Sequence, residues 1–216
     1  FSLFSVGTIY FLQYNLGLDN KYSSYVYVFT IVIFIVSTPI IEKMALLKGK
    51  AWQQMVVMGS CGIAGVLIYL FASDSVVGCA VYIGIFAVVQ TGFWQVSNSI
   101  FYDIVEVDEY VNMKRREGDI MSVVSVLGTL ITAIMVWAFG VLFDAAGFNA
   151  KLTAQPESVV SFLNTAYILI PCLCLFAGAA ALKLFPINKK TFESLTSAIS
   201  LREGGEPFDQ YVEDLD

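Results

Sequence analysis

Six long stretches of this 216-residue chain contain no charged side chain. They cover residues 1–18, 22–41, 51–73, 75–102, 120–143 and 158–182. Each is close to the length of about 20 residues that an α-helix needs to cross the hydrocarbon core of a bilayer. That core offers backbone groups no hydrogen-bonding partner, and barrel strands would be about ten residues long with alternating polarity. The runs therefore predict an all-α membrane protein with six transmembrane helices.

The composition supports this fold class and limits the chemistry. Charged residues make up 14% of the chain and apolar residues 57%, whereas a soluble domain has about 25% charged residues. The chain has no histidine, and its four cysteines all lie within the apolar runs, where they act as small hydrophobic residues. We find no metal-binding motif, nucleophile motif or phosphate-binding loop. We therefore expect no enzyme, no metal site, no organic cofactor and no nucleic-acid partner.

The basic residues are distributed unevenly between the segments that connect the runs. If the runs alternate in direction, segments 42–50, 103–119 and 183–216 share one side of the membrane and hold ten of the twelve Lys and Arg. Only Lys21 and Lys151 lie on the other side. By the positive-inside rule, the first side, which includes the C-terminal tail, is expected to be cytoplasmic. The expected location is the plasma or inner membrane.

The chain divides into a membrane part and a polar tail. Residues 1–188 contain all six runs, and residues 189–216 are polar and mostly acidic, which accounts for the net charge of -6. We expect a short helix in this tail, followed by a disordered segment. Phe1 begins within an apolar run without an initiator Met or the features of a signal peptide. This start favours the second half of a twelve-helix protein over a complete six-helix protein.

The fourth run carries polar side chains at helical spacing. Gln90, Trp94 and Asn98 are four residues apart and share one helix face, with Thr91 and Gln95 beside them. At bilayer depth such a face contacts other helices or a water-filled cavity. An indole beside amides can stack against and hydrogen-bond a sugar or another polar, neutral solute. Polar contacts between helices are the alternative interpretation.

The fifth run has a second polar face, made of hydroxyl groups. Ser122, Ser125, Thr129 and Thr132 recur at helical spacing. This face is a candidate for the opposite wall of the same cavity.

The densest charge cluster follows the fourth run. It comprises Asp103, Glu106, Asp108, Glu109, Lys114, Arg115, Arg116, Glu117 and Asp119, with Tyr110 among them. Acids at the end of one helix can pair with bases in the next loop, holding helix ends together in one conformation and releasing them in another. We interpret the cluster as a candidate cytoplasmic gate. For any single charge, a solvated loop that stabilises helix ends is the alternative.

These same residues resemble a known family. The resemblance is carried by Gly92-Phe93-Trp94, Asp103-Ile104-Val105-Glu106, Asp108-Glu109-Tyr110, Arg115-Arg116-Glu117-Gly118 and Ser122. In this order they resemble the tenth helix, the following loop and the eleventh helix of the glycoside-pentoside-hexuronide:cation symporters. These melibiose permease-like proteins belong to the major facilitator superfamily. The resemblance is in register over residues 92–148 and looser elsewhere.

The resemblance implies a fold and a mechanism. The chain would be the C-terminal bundle of a twelve-helix major facilitator fold, helices seven to twelve, built from two inverted three-helix repeats. The whole protein would be a secondary active transporter that carries a sugar or glycoside with a cation by alternating access. The coupling Na⁺ or H⁺ would be bound mainly by the N-terminal six-helix half, which is the partner of this bundle.

The resemblance also implies roles for particular residues. Trp94 would contact the sugar and Ser125 would lie near it, and Gln90, Asn98 and Thr129 complete the candidate solute site. The cytoplasmic gating network would comprise Asp103, Glu106, Glu109, Tyr110, Arg115 and Glu117. Thr129 departs from the family, which often has Lys there, and this departure bears on the coupling ion and on any preference for acidic sugars.

Two other functions fit the same hydropathy. One is a lysolipid or other amphiphile carrier of the same superfamily, which a more apolar cavity would favour. The other is a non-transporting membrane scaffold, which would leave the polar stripe without a use.

Overall fold

The computed structural model describes residues 1–19, 21–112, 114–152 and 154–184, together with residues 194, 197, 198 and 201. All regular secondary structure in these ranges is helical. Except for those last four residues, which are helical, the predicted tail of residues 189–216 lies outside the described residues. The short helix and the disorder expected there stay predictions.

Within the described residues, five helices are long and apolar enough to cross a bilayer. Helix α2 covers Lys21–Lys48, α3 covers Lys50–Phe71, α4 covers Val76–Asn112 and α5 covers Glu117–Ala145. The last helix consists of α6 (Glu157–Asn164), a π-helical segment (Thr165–Leu169) and α7 (Ile170–Lys183). Each of these five helices contains one of the predicted runs.

The first run forms a shorter helix than predicted. Helix α1 covers Ser2–Tyr10 and continues as a π-helical segment over Phe11–Asn15. At 1.5 Å per residue this helix rises about 21 Å, which is less than the roughly 30 Å of a bilayer core. Spanning length is therefore confirmed for five of the six runs and is not confirmed for the first.

Buried aromatic residues join α1, α4 and the last helix. The Tyr167 ring stacks on Phe4 and Phe11, with ring centroids 5.3 Å and 4.7 Å away. The Tyr82 hydroxyl of α4 donates a hydrogen bond of 2.9 Å to the Tyr167 carbonyl. Because this carbonyl lies in the π-helical segment, where the regular α-helical pattern is interrupted, the bond supplies a partner within the apolar interior.

Glycines let α3 approach the last helix closely. A Cβ atom added to Gly62 would lie 2.9 Å from the Phe176 ring, and one added to Gly65 would meet Cys172 and Tyr82. Such small residues allow helix backbones to come together in a membrane. The contact between α3 and α7 is thus a close one.

Helix α4 occupies the centre of the bundle. It contacts both α2 and α3, whereas α5 lies at the edge and touches α1 and α4. Gly49, with φ of 96°, lets the chain turn between α2 and α3 within one residue. Helix α4 continues past its apolar run to Asn112, so the acidic residues from Asp103 onward belong to the same helix as Gln90 and Trp94.

Candidate functional site

A groove of about 440 Å³ lies between α1, α2 and α4. It is lined by Phe4, Ser5 and Thr8 of α1, by Val26, Tyr27, Thr30, Ile31, Phe34 and Ile35 of α2, and by Gln90 and Trp94 of α4. The volume falls within the roughly 300–1,000 Å³ of small-molecule sites. None of these described lining residues is charged.

Helix α4 turns its polar stripe in two directions. Gln90 and Trp94 line the groove, and Asn98, one turn further along the helix, is exposed. The neighbouring residue Thr91 is buried, and its hydroxyl lies 2.9 Å from the hydroxyl of Ser37 on α2. The stripe therefore combines both interpretations drawn from the sequence. Gln90 and Trp94 face a cavity, and Thr91 makes a polar contact between helices.

Few polar groups in the groove are available to a ligand as donors. The hydroxyls of Thr8 and Thr30 donate hydrogen bonds of 2.6 Å and 2.8 Å to carbonyls one turn earlier in their own helices. Within the described residues, the Gln90 amide and the Trp94 indole N–H have no hydrogen-bonding partner. Trp94 is also the most open aromatic side chain of α4, at 56% exposure. Gln90 and Trp94 are therefore the best-placed donors for a solute.

The hydroxyl face of α5 does not line this groove. Ser125 and Thr129 are exposed, and the Thr129 hydroxyl donates to the Ser125 carbonyl at 2.9 Å. Helix α5 meets α1 elsewhere, where the Ser2 and Thr132 hydroxyls are 3.5 Å apart. The structure thus does not bring Ser125 and Thr129 together with Gln90 and Trp94, and their part in a facing wall stays a prediction.

A salt bridge joins the first turn of α3 to α4. The Lys50 ammonium lies 2.7 Å and 2.9 Å from the two carboxylate oxygens of Asp103. The Asp103 side chain is only 10% exposed, and that of Lys50 is 34% exposed. This contact places the connections α2–α3 and α4–α5 at the same end of the bundle, as the alternating runs predict. We did not predict Lys50 as a gating residue, because nothing local in the sequence indicates a partner 53 residues away.

The other charge pairs of the cluster are exposed to solvent. Arg116 pairs with Asp108, and Arg115 lies 3.1 Å from Glu117 and 3.8 Å from Glu109. Hydrogen bonds from these guanidinium groups to Glu117 and Asp108 raise the pKa of Arg115 and of Arg116, so both stay charged. Because water competes for such exposed groups, each pair contributes little to stability.

The remaining gating candidates are half-buried on α4. Glu106 has one carboxylate oxygen, Oε2, without a hydrogen-bonding partner among the described residues. Tyr110 lies one turn further along the same helix. No three or more His, Cys, Asp or Glu side chains in the described part of the chain are grouped so that they could hold a metal ion.

Two buried amides lie at the α3–α4 contact, a feature that the sequence analysis missed. Gln53 and Gln54 are 0% and 2% exposed, and their amide atoms have no hydrogen-bonding partner among the described residues. A Cβ atom added to Gly92 of α4 would lie 2.9 Å from both Gln53 Nε2 and Gln54 Oε1. Gly92, which opens the Gly-Phe-Trp string, is thus the position at which α4 approaches these two side chains.

A bundle of membrane-crossing helices around an uncharged groove defines a multi-pass membrane transporter. The sequence profile of the MFS/sugar transport protein family matches residues 1–189, and the chain belongs to this family. Its members are transporters and not enzymes, and the resemblance drawn from the sequence motif is confirmed. An uncharacterized symporter of Synechocystis sp. is 24% identical over 110 residues. This match covers 49% of the chain and 20% of the relative, so the chain spans only a small part of that protein.

Proposed function

We propose that this chain is the C-terminal half of a secondary active transporter that carries a sugar or glycoside together with Na⁺ or H⁺. The observation that carries the proposal is the groove, where Trp94 and Gln90 face an uncharged cavity from the middle of the fourth run. An exposed aromatic ring and an unpaired amide suit a neutral solute that stacks through its apolar face and exchanges hydrogen bonds through its hydroxyls.

The helix contacts support two inverted three-helix repeats. A pseudo-twofold axis between such repeats would exchange α1 with α4, α2 with α5, and α3 with the last helix. The contact of α2 with α4 then corresponds to that of α5 with α1, and α3 meets α7 across the axis. Both correspondences are present, which is the pattern expected of helices seven to twelve in a twelve-helix major facilitator fold.

Transport in this proposal proceeds by alternating access. The bundle rocks against an N-terminal bundle about the central site, and solute and cation together favour the switch that neither favours alone. Because the described groove lining contains no carboxylate, the cation would be held mainly by the N-terminal half. The Lys50–Asp103 pair and the charges from Glu106 to Glu117 would form the cytoplasmic gate, in the plasma or inner membrane, with the C-terminal tail inside.

Trp94→Ala tests the solute site. We expect the KM of the full-length protein for a transported glycoside to rise about tenfold, since stacking on an aromatic ring contributes about 1.4 kcal/mol. The measurement is uptake of radiolabelled glycosides into membrane vesicles, with and without a sodium gradient. Trp137→Ala is the matched control, because Trp137 is exposed on α5 and lies outside the groove lining. An unchanged KM in Trp94→Ala would remove Trp94 from the site.

Arg116→Gln tests how much the exposed pairs contribute. Because Arg116 and its partner Asp108 lie at the surface, we expect the initial uptake rate to change by about twofold or less. The same vesicle assay measures it, normalised to the amount of protein in the membrane. A tenfold loss would show that this pair, rather than the buried one at Lys50, controls the switch.

A lysolipid or other amphiphile carrier is the second candidate. The observation that favours it is the apolar part of the groove lining, which consists of Phe4, Val26, Tyr27, Ile31, Phe34, Ile35 and Trp94. Against it, the described lining offers no charged group to a charged lipid headgroup, which would be expensive to bury unpaired. Uptake of a labelled lysophospholipid in the absence of glycoside uptake would favour this candidate.

A further inference from the structure

The groove is longer than its pair of polar donors. Along α2, its lining runs from Val26 to Ile35, which is about 13 Å at 1.5 Å per residue. The register of α2 against α4 is set by the Ser37–Thr91 contact and, further along, by Ile33 against Gly84. Gln90 therefore lies level with the Ile35 end of the groove, and the Val26 end lies about two and a half helical turns beyond it.

That far end is an apolar arm, formed by Phe4, Val26, Tyr27 and Ile31. Tyr27 and Ile31 are 46% and 57% exposed, so they present apolar surface to whatever occupies the groove. The threonine hydroxyls beside the arm, Thr8 and Thr30, already donate their hydrogens to backbone carbonyls. The arm thus offers apolar contact area and few hydrogen-bond donors.

This division excludes two classes of solute from a good fit. A second sugar ring in the arm would lose water from its hydroxyls and find few partners, which is unfavourable for each unpaired group. A carboxylate or phosphate would be buried against an uncharged lining. An apolar group, in contrast, gains free energy in proportion to the area it removes from water.

We propose that the preferred solute is a neutral glycoside with an apolar aglycone, an aryl or alkyl group that occupies the apolar arm. Its sugar ring lies against Trp94 and Gln90. This inference rests on the proposed function as a glycoside transporter and adds the chemical class of the substituent.

The test compares matched solutes in the full-length transporter. Methyl and phenyl glycosides of one sugar, and the uronic acid analogue of the phenyl glycoside, are measured for uptake into vesicles. We expect the KM for the phenyl glycoside to be about tenfold lower than that for the methyl glycoside, and the uronide to be taken up at least tenfold less well. Ile31→Ala should reduce the preference for phenyl about threefold. Ile40→Ala, on the same helix but outside the groove lining, should leave it unchanged.

The outcomes separate the two proposals. Equal KM values for the methyl and phenyl glycosides would overturn the inference and leave the transport of glycosides standing, as would a preference for phenyl that Ile31→Ala does not alter. Uptake of none of the glycosides would overturn the proposed function itself. Uptake of a lysophospholipid alone would overturn both and identify an amphiphile carrier.

Discussion

Lys50→Met is expected to lower the initial rate of solute uptake by more than tenfold and to destabilise the contact between α3 and α4. The substitution leaves the Asp103 carboxylate, which is 10% exposed, without its cation at the end of the apolar helix. Removing one partner of a buried pair costs about 3–5 kcal/mol, and because Lys50 is one-third exposed we expect about 2 kcal/mol here. Uptake per folded protein and the apparent melting temperature in detergent measure the two effects.

The opposite substitution should have a smaller effect. Asp103→Asn removes the charge that is out of water, whereas Lys50 keeps access to solvent through its exposed third. Lys48→Met is the control, because this neighbouring lysine is exposed and its ammonium lies 4.4 Å from the Trp52 ring centroid rather than in a buried pair. Wild-type uptake and melting temperature in Lys50→Met would show that the pair neither stabilises the bundle nor takes part in gating.

Gly92→Leu is expected to prevent stable folding of the bundle. A Cβ atom at this position would already lie 2.9 Å from the amides of Gln53 and Gln54, and leucine adds three further carbons at a buried contact. Overpacking of this kind costs about 3 kcal/mol. The amides can move only by displacing other buried side chains of α3. The result should be a large loss of monodisperse protein in size-exclusion chromatography.

Gly59→Leu provides the control for that experiment. A Cβ atom on Gly59 of α3 meets no atom within 4 Å, so leucine there has room and a better helix propensity than glycine. We expect yield and melting temperature close to those of the wild type. If Gly92→Leu and Gly59→Leu behaved alike, the close approach of α4 to Gln53 and Gln54 would not be a feature of the folded protein.

Much of the candidate site could be predicted because its signals are local. Gln90 and Trp94 share a helix face through their spacing alone, and a polar face in a long apolar run has few places to go. The same reasoning grouped Thr91 with them, but Thr91 binds Ser37 of α2 instead. One residue of rotation, about 100°, separates the cavity from the helix contact, and only the position of α2 shows which side is which.

The groove wall and the salt bridge could not be predicted in this way. Most of the groove lining comes from α1 and α2, where aromatic and aliphatic residues in an apolar run look the same whether they face lipid, another helix or a solute. Lys50 was one of several bases in the short connections, and its partner lies 53 residues away. The α5 hydroxyls matched a cavity wall by spacing, yet α5 lies at the edge of the bundle, away from the groove lining.

By itself, the sequence determined the class of the protein, the extents of five spanning helices and the helix face that carries Gln90 and Trp94. These follow from the length of the uncharged runs and from the 3.6-residue period, which depend only on neighbouring residues. Tertiary structure decided which helices meet, that Asp103 binds Lys50, that Gly92 admits Gln53 and Gln54, and that the groove continues as an apolar arm along α2. The physical reason is that each of these contacts depends on the relative positions of helices that are far apart in the chain.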